Sequence, residues 1–299
     1  MLNELLRSYA DMVRPSGVEV EFIIVENDET RHLDDVILAF ESSVSEAVVY
    51  DIEPEQGIPF ARNRVLEIAL KRGADVLTFA DDDERVSDDW LVKLFDGLWS
   101  RELDLVGGPL KIESTEPTSD KWSAAVLAYL QERAEKNARN RAVMTRNSKD
   151  HNQNAYTNNW ALRLDFARKS GLRFDTSLRY TGGSDTAFSK ALRLCGGRNG
   201  WVPEAIVHDR IPPNRLTLKY FYRRTRDQSR NGVQIHAKRP AKVFSLVVPR
   251  LLEAVVLLAS APFTGRRSVV RAVYKIALTD GRIRGVLGLK SKLYAPASA

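Results

Sequence analysis

The chain is 299 residues long and 43% hydrophobic, enough to bury a large core in one domain or two closely joined halves, which excludes disorder for its bulk. Forty-five Lys and Arg against thirty-nine Asp and Glu leave a net charge of +6, suited to an anionic partner such as nucleotide phosphate, lipid headgroup or nucleic acid. The single cysteine, Cys195, excludes an internal disulfide and a cysteine-based metal cluster, fits a reducing compartment, and reads as a small core residue.

Leu2, Leu5, Leu6, Tyr9 and Met12 recur at helical spacing, and Pro15-Ser16-Gly17 stops that helix. Met1 to Arg7 is amphipathic and carries an acid, so it reads as neither signal nor transit peptide, and the catalytic part is expected in the cytoplasm. Val18 to Val25 reads as a strand that breaks at Glu26-Asn27-Asp28-Glu29. Leu33 to Phe40 follows as a helix and Ala47 to Tyr50 as a short strand. Gly57-Ile58-Pro59-Phe60-Ala61-Arg62-Asn63-Arg64 reads as a tight loop feeding a helix through Leu70. Its arginines suit an anion or a nucleobase, or are simply an exposed helix start.

Asp75 to Glu84 is the stretch around which the rest is organised. Val76, Leu77 and Phe79 make a strand, and a buried strand carries no charge until it emerges, so Asp81-Asp82-Asp83-Glu84 sits at its C-terminal end. Asp81 and Asp83 point the same way on an extended chain. Carboxylates packed this closely repel one another unless a cation intervenes, and Mg²⁺ or Mn²⁺ prefers oxygen ligands. Read locally, the acids either hold a metal that binds a diphosphate or cap the helix that starts after Ser87.

Trp90 to Trp99 is amphipathic, and Leu103 to Pro109 reads as a strand ending in a turn. The alternation so far argues α/β with a mostly parallel sheet. Residues from about Ile112 to Gln153 are polar, with a helix expected from about Trp122 to Ala138 followed by Arg- and Asn-rich sequence, and the long, weakly apolar segment is expected as a mobile active-site loop. Asn154 to Arg163 resumes strand character. Phe174 to Phe188 then runs through Gly182-Gly183 into a helix, where Ser184 or Asp185 reads locally as an N-cap. His208, closing the strand from Gly200, is a candidate metal ligand or acceptor contact, or a structural histidine. Lys219 to Arg230 is basic and aromatic, fit for nucleic acid or for a helix offering guanidinium groups to a diphosphate.

Val243 to Phe263 is strongly apolar, but Pro249, Arg250 and Glu253 interrupt it, which argues against a membrane span. Arg266, Arg267, Arg271, Lys275, Arg282, Arg284, Lys290 and Lys292 follow. The tail is expected to lie on an anionic membrane face, the other reading being a helical pair packed on the core.

Five features in this order, namely Val25-Glu26-Asn27-Asp28, Ala61-Arg62-Asn63, Asp81-Asp82-Asp83, Gly182-Gly183-Ser184-Asp185 and the basic helix, resemble a family 2 glycosyltransferase of the GT-A fold. Within it the likeness is to bacterial succinoglycan-type exopolysaccharide glucosyltransferases, and it runs from about Leu5 to Gly232. The resemblance implies an α/β, Rossmann-like sheet flanked by helices. It implies a nucleotide-sugar-binding half at 1–110, an acceptor-binding half at 111–235 and the basic amphipathic tail at 236–299. It implies transfer of a hexose, glucose in the nearest likeness, from a UDP-sugar to a polyprenyl-diphosphate-linked saccharide at the inner membrane face, with no nucleic-acid partner. By the same resemblance Glu26, Arg62, Asp81 and Asp82 contact the donor, Asp83 binds the divalent Mg²⁺ or Mn²⁺ with His208 as a second candidate, and Asp185 deprotonates the acceptor. Arg223, Arg226 and Arg230 would lie near the departing diphosphate.

Three departures stand against the family pattern. The chain opens at the helix that follows the family's first strand and its Pro-Thr-Tyr-Asn-Arg-like loop, Ser184 stands where a glutamate is common, and Glu26 replaces a shorter aspartate. The alternative they leave is a GT-A-like nucleotide-sugar-binding protein without turnover.

Overall fold

The computed structural model of the protein describes residues 1–118, 120–235 and 240–289. The chain begins α1 (Leu2–Asp11), β1 (Glu21–Glu26), α2 (Asp34–Glu41), β2 (Ala47–Ile52), α3 (Ile58–Lys71), β3 (Val76–Phe79), β4 (Glu84–Val86), α4 (Trp90–Ser100) and β5 (Leu105–Gly107). It continues with β6 (Leu110–Ser114), α5 (Lys121–Arg146), β7 (Trp160–Arg163), α6 (Leu164–Ser170), α7 (Ser184–Leu194), β8 (Asn199–Trp201) and β9 (Val207–Ile211). Among the described residues four helices follow: α8 (Leu218–Ile235), α9 (Pro240–Phe244), α10 (Val247–Thr264) and α11 (Arg266–Val286).

These elements sort into two units. The first comprises Met1–Lys111, Ala134–Arg179 and Ser184–Asp209; the second comprises Ile112–Arg133, Tyr180–Gly183 and the described residues from Arg210 onward.

In the first unit β1 and β2 pair in parallel, and a four-stranded sheet has the order β3-β7-β5-β8. β7 runs antiparallel to both β3 and β5, while β5 and β8 are parallel. Three strands of this sheet therefore share one direction, with a reversed strand between two of them. The sheet is apolar on both faces, which is why its strands read as continuous hydrophobic runs. Val76, Val106 and Ala161 pack on one side with Phe22, Trp90, Leu94 and Leu98. Their chain neighbours Leu77, Leu105, Trp160 and Leu162 pack on the other with Leu66, Phe188 and Leu192. The period-2 alternation of a strand divides one apolar run between two cores.

In the second unit Val126 and Tyr129 of α5 meet Leu216, Phe221 of α8 and Val270 of α11 in a separate core. The α8 and α11 backbones come close because α11 carries glycine where they cross. A Cβ at Gly281 would lie 2.0 Å from the Arg226 carbonyl oxygen, and one at Gly285 2.8 Å from that of Arg230. Glu132 of α5 takes Arg267 at 2.7 Å and Arg271 at 2.8 Å, tying α11 down at its start.

The structure departs from the sequence expectations in four places. α3 already begins at Ile58, with Pro59 in its first turn, so Arg62 and Asn63 project from a helix rather than a loop. The helix expected to end at about Ala138 within the segment read as a mobile loop runs on to Arg146, making α5 unbroken for 26 residues; Ala, Glu, Lys and Arg favour a helix even where no apolar stripe marks one. Cys195 is exposed at the end of α7, not in the core. The interrupted apolar stretch is helical but for a turn at Ser245–Leu246, and Pro240–Thr264 is long and apolar enough to cross a membrane. Lys290 and Lys292 lie outside the described residues.

Candidate active site

The acidic run turns the chain from β3 into β4. Glu84 opens β4 with its side chain only 2% exposed, and its Oε2 accepts the Asp81 N–H at 2.9 Å while its own N–H donates to the Asp81 carbonyl at 3.1 Å. The fourth acid thus folds back to brace the first three. Burial, together with Asp81, Asp209 and Asp83, pushes the Glu84 carboxyl well above the usual range. α1 supports the turn from below: the Val86 N–H donates to Ser8 Oγ at 3.1 Å. Burial, and then the Glu84 charge, raises the Tyr9 phenol.

Asp81 sits in a recess that water reaches but protein atoms surround: its side chain is 43% exposed, yet desolvation pushes its carboxyl up to about 6, opposed by Arg62 and reinforced by Asp83, Asp185 and Asp82. That influence of Asp185 on Asp81 brings the candidate base and the acidic turn into one electrostatic neighbourhood.

Arg62 joins them physically. Its Nη1 donates to Ser184 Oγ at 2.9 Å, and its Nη2 lies 3.5 Å from Asp81 Oδ1. Ser184 is the first residue of α7, so one guanidinium spans from the acidic turn to the helix start that bears Asp185. Asp185 Oδ1 accepts the Thr186 N–H at 2.6 Å, which orients its carboxylate at the helix N-terminus. The next residue of α3 does a different job: Asn63 Nδ2 donates to the Phe174 carbonyl at 2.9 Å and its Oδ1 accepts the Phe174 N–H at 2.8 Å. Asn63 thereby fixes the segment that leads toward α7, and the Arg62 guanidinium rests 5.9 Å from the Phe174 ring.

Glu26, at the end of β1, accepts the His32 N–H at 3.0 Å and also the Tyr50 hydroxyl. Beyond it, Asn27 ties the strand end to the loop before α3, accepting the Gly57 N–H at 2.8 Å and donating to the Glu53 and Glu55 carbonyls at 2.8 Å. Gly57 adopts φ +135, a conformation side chains rarely take, and a Cβ there would lie 2.7 Å from Arg179 Cγ.

His208 stands opposite Arg85 in the β4–β9 register, its Nε2 3.3 Å from Ser87 Oγ. The α8 arginines belong to the second unit. There Arg226 Nε and Arg230 Nη2 reach Asp227 Oδ1 at 3.0 and 2.9 Å, while Arg223 is exposed.

Two groups have the chemistry for a hard divalent cation. Asp81, Asp82 and Asp83 offer oxygen donors only, and the mutual repulsion by which Asp83 and Asp82 raise the Asp81 carboxyl against the pull of Arg62 is what a divalent ion there would relieve. Glu26, Asp28 and His32 bring one donor atom each to within 4.8 Å of one another.

From sequence Ser184 reads only as a local N-cap and Glu84 only as one of four like acids, while Asn63 has no role of its own. Glu84 follows three acids and differs from them only in burial; Asn63 and Ser184 act on partners more than a hundred residues away.

The family model for glycosyl transferase family 2 matches residues 1–171. The succinoglycan biosynthesis protein ExoM of Rhizobium meliloti (strain 1021) is 30% identical over 297 residues, covering 97% of this chain and 90% of that protein. Among solved structures, S. aureus TarS 1-349 in complex with UDP superposes with a TM-score of 0.50 at 12% identity, over 96% of this chain and 88% of that one, a likeness of fold alone. Since the family model spans more than half of the chain and the likeness to ExoM runs over nearly all of it, the chain belongs to glycosyl transferase family 2 and is a glycosyltransferase of the GT-A fold.

Proposed function

We propose that this glycosyltransferase is an inverting, metal-dependent hexosyltransferase. It moves a hexose from a UDP-sugar to a polyprenyl-diphosphate-linked saccharide at the inner membrane face, in the synthesis of an exopolysaccharide or cell-surface polysaccharide. The observation that carries the reading is the Arg62 bridge, which couples the acidic turn to the N-terminus of the helix bearing Asp185. The likeness to ExoM supports the polymer class, and the TarS fragment was crystallised with UDP, the nucleotide assigned here to the donor.

In this reading Asp185 takes the proton of the acceptor hydroxyl, whose oxygen bonds to the anomeric carbon as the bond from that carbon to the diphosphate oxygen breaks. UDP leaves with the electron pair. A single displacement turns an α-linked donor into a β-linked product, with no covalent sugar-enzyme intermediate. Glu26 addresses the nucleobase; Arg62, Asp81 and Asp82 address the ribose and diphosphate. Asp83, with His208 as second candidate, would hold the Mg²⁺ or Mn²⁺, which when bound neutralises diphosphate charge. Arg223 keeps the diphosphate role expected from sequence, whereas Arg226 and Arg230 already engage Asp227. Residues 1–110 serve the donor, 111–235 the acceptor and 236–299 the membrane face.

Asp185→Asn is expected to lower transfer by about 10² or more while calorimetry still detects UDP binding with Mn²⁺. Undiminished turnover in that variant removes Asp185 as the base. UDP binding without any transfer by the unmodified chain, across a panel of UDP-hexoses and lipid-linked acceptors, favours the binding-protein alternative.

A further inference from the structure

α10 is amphipathic in the wrong sense for a helix facing water. Its charged residues turn toward α11: Glu253 pairs with Lys275 at 2.7 Å, and the Arg282 charge is disfavoured first by burial and then by the nearby Arg250. Ala254 is buried on the same side. The outward side is apolar from end to end, with Val248, Leu251, Leu252, Val255, Val256 and Phe263 exposed, Val256 to 67% and Phe263 to 92%. A helix in contact with water places its polar residues outward, and an apolar face of this length marks an interaction surface.

Charge identifies the partner. Residues 240–289 carry eight Lys and Arg against two Asp and Glu, so this segment alone holds an excess of +6, as large as that of the whole chain. Lys242 precedes the apolar face, and Arg266 and Arg267 follow it. An apolar strip flanked by cations matches an anionic lipid monolayer, with hydrocarbon below and phosphate beside.

The packing also decides orientation. Pro240–Thr264 is long enough to cross a bilayer, but α10 lies along α11, which is itself seated on α8 through Gly281 and Gly285. A crossing would carry Lys275, Asp280, Arg282 and Arg284 of α11 into hydrocarbon.

We infer that α10 is an in-plane anchor, its outward face sunk into one leaflet of an anionic membrane while α11 stays at the headgroup level. This deepens the membrane-face reading above and names the part of the chain that makes the contact. Flotation of the full chain with phosphatidylcholine vesicles, with and without phosphatidylglycerol, tests it beside the same chain carrying Leu252→Glu and Val256→Glu. Both positions are exposed, so folding should survive, and unchanged UDP binding checks that it does.

The expected result is co-flotation that rises with phosphatidylglycerol and falls at least ten-fold in the double variant, with UDP binding unchanged in both. Equal flotation of the two proteins overturns the anchor, as does a dimer of the unmodified chain that the double variant splits with no vesicle binding by either. In a Cys195→Ser background, thiols placed at Lys242 and Arg266, the exposed cationic positions that flank the apolar face, should both react with an impermeant reagent added outside the vesicles. Protection of just one of them overturns the in-plane orientation in favour of a span. Loss of UDP binding by the unmodified chain strikes the enzymatic reading and leaves the anchor standing.

Discussion

Arg62 and Asn63 are neighbours in sequence with opposite tasks, one charged and turned to the acidic recess, the other neutral and turned to the backbone of Phe174. Replacing Asn63 by Ala leaves a buried N–H and C=O without their partner, a loss of roughly 1–3 kcal/mol. Urea denaturation of Asn63→Ala should show it, and UDP affinity should fall with it because the support beneath Arg62 loosens. Unchanged stability would mean that the backbone finds other partners. At this scale the acids were legible in the sequence, since four consecutive carboxylates after an apolar run have few structural uses. The division of labour among them was not. Glu84 is as acidic as Asp83 on paper, and only its burial in β4 makes it a brace. Cys195 misled for the same reason: its residue type favours a core, but the end of α7 places it outside.

Helices were legible wherever an apolar stripe met a cap or a breaker, as at α1 and α7, and illegible where neither was present. The second half of α5 has no stripe; helix propensity alone would have marked it. In α11 the informative pattern was glycine spacing, because Gly281 and Gly285 exist to admit the α8 backbone. Gly281→Leu would drive a side chain into the Arg226 carbonyl and is expected to cost roughly 1–3 kcal/mol in a denaturant titration, with α11 becoming protease-sensitive. A variant of wild-type stability would refute the close approach. The clamp on α11 also carries a pH signature. Arg267 first, then Arg271, hold the Glu132 carboxyl below its ordinary value, so their contribution is present above the ordinary carboxylate range and is lost as pH falls through the lowered value. Glu132→Gln should therefore lower the melting temperature at pH 7 and make no difference once acid has protonated the native residue.

For the molecule as a whole, α/β architecture followed from strands and helices alternating along the chain, and the strands' unbroken apolarity announced a sheet covered on both faces. Strand direction was another matter. Nothing in Trp160–Arg163 says that β7 runs against β3 and β5, because direction depends on the path the chain takes between them. The discontinuous units were equally hidden, since residues 112–133 and 180–183 join a partner that the sequence supplies only after Arg210.

A single guanidinium holds the acidic turn with one nitrogen and the start of α7 with another. If the donor diphosphate proposed above recruits Arg62 away from Ser184, α7 is released to receive the acceptor only when the donor is in place. The enzyme should then show compulsory-order kinetics, UDP competing with the donor but not with the acceptor. Arg62→Ala, with nothing left to release, should bind its two substrates in either order.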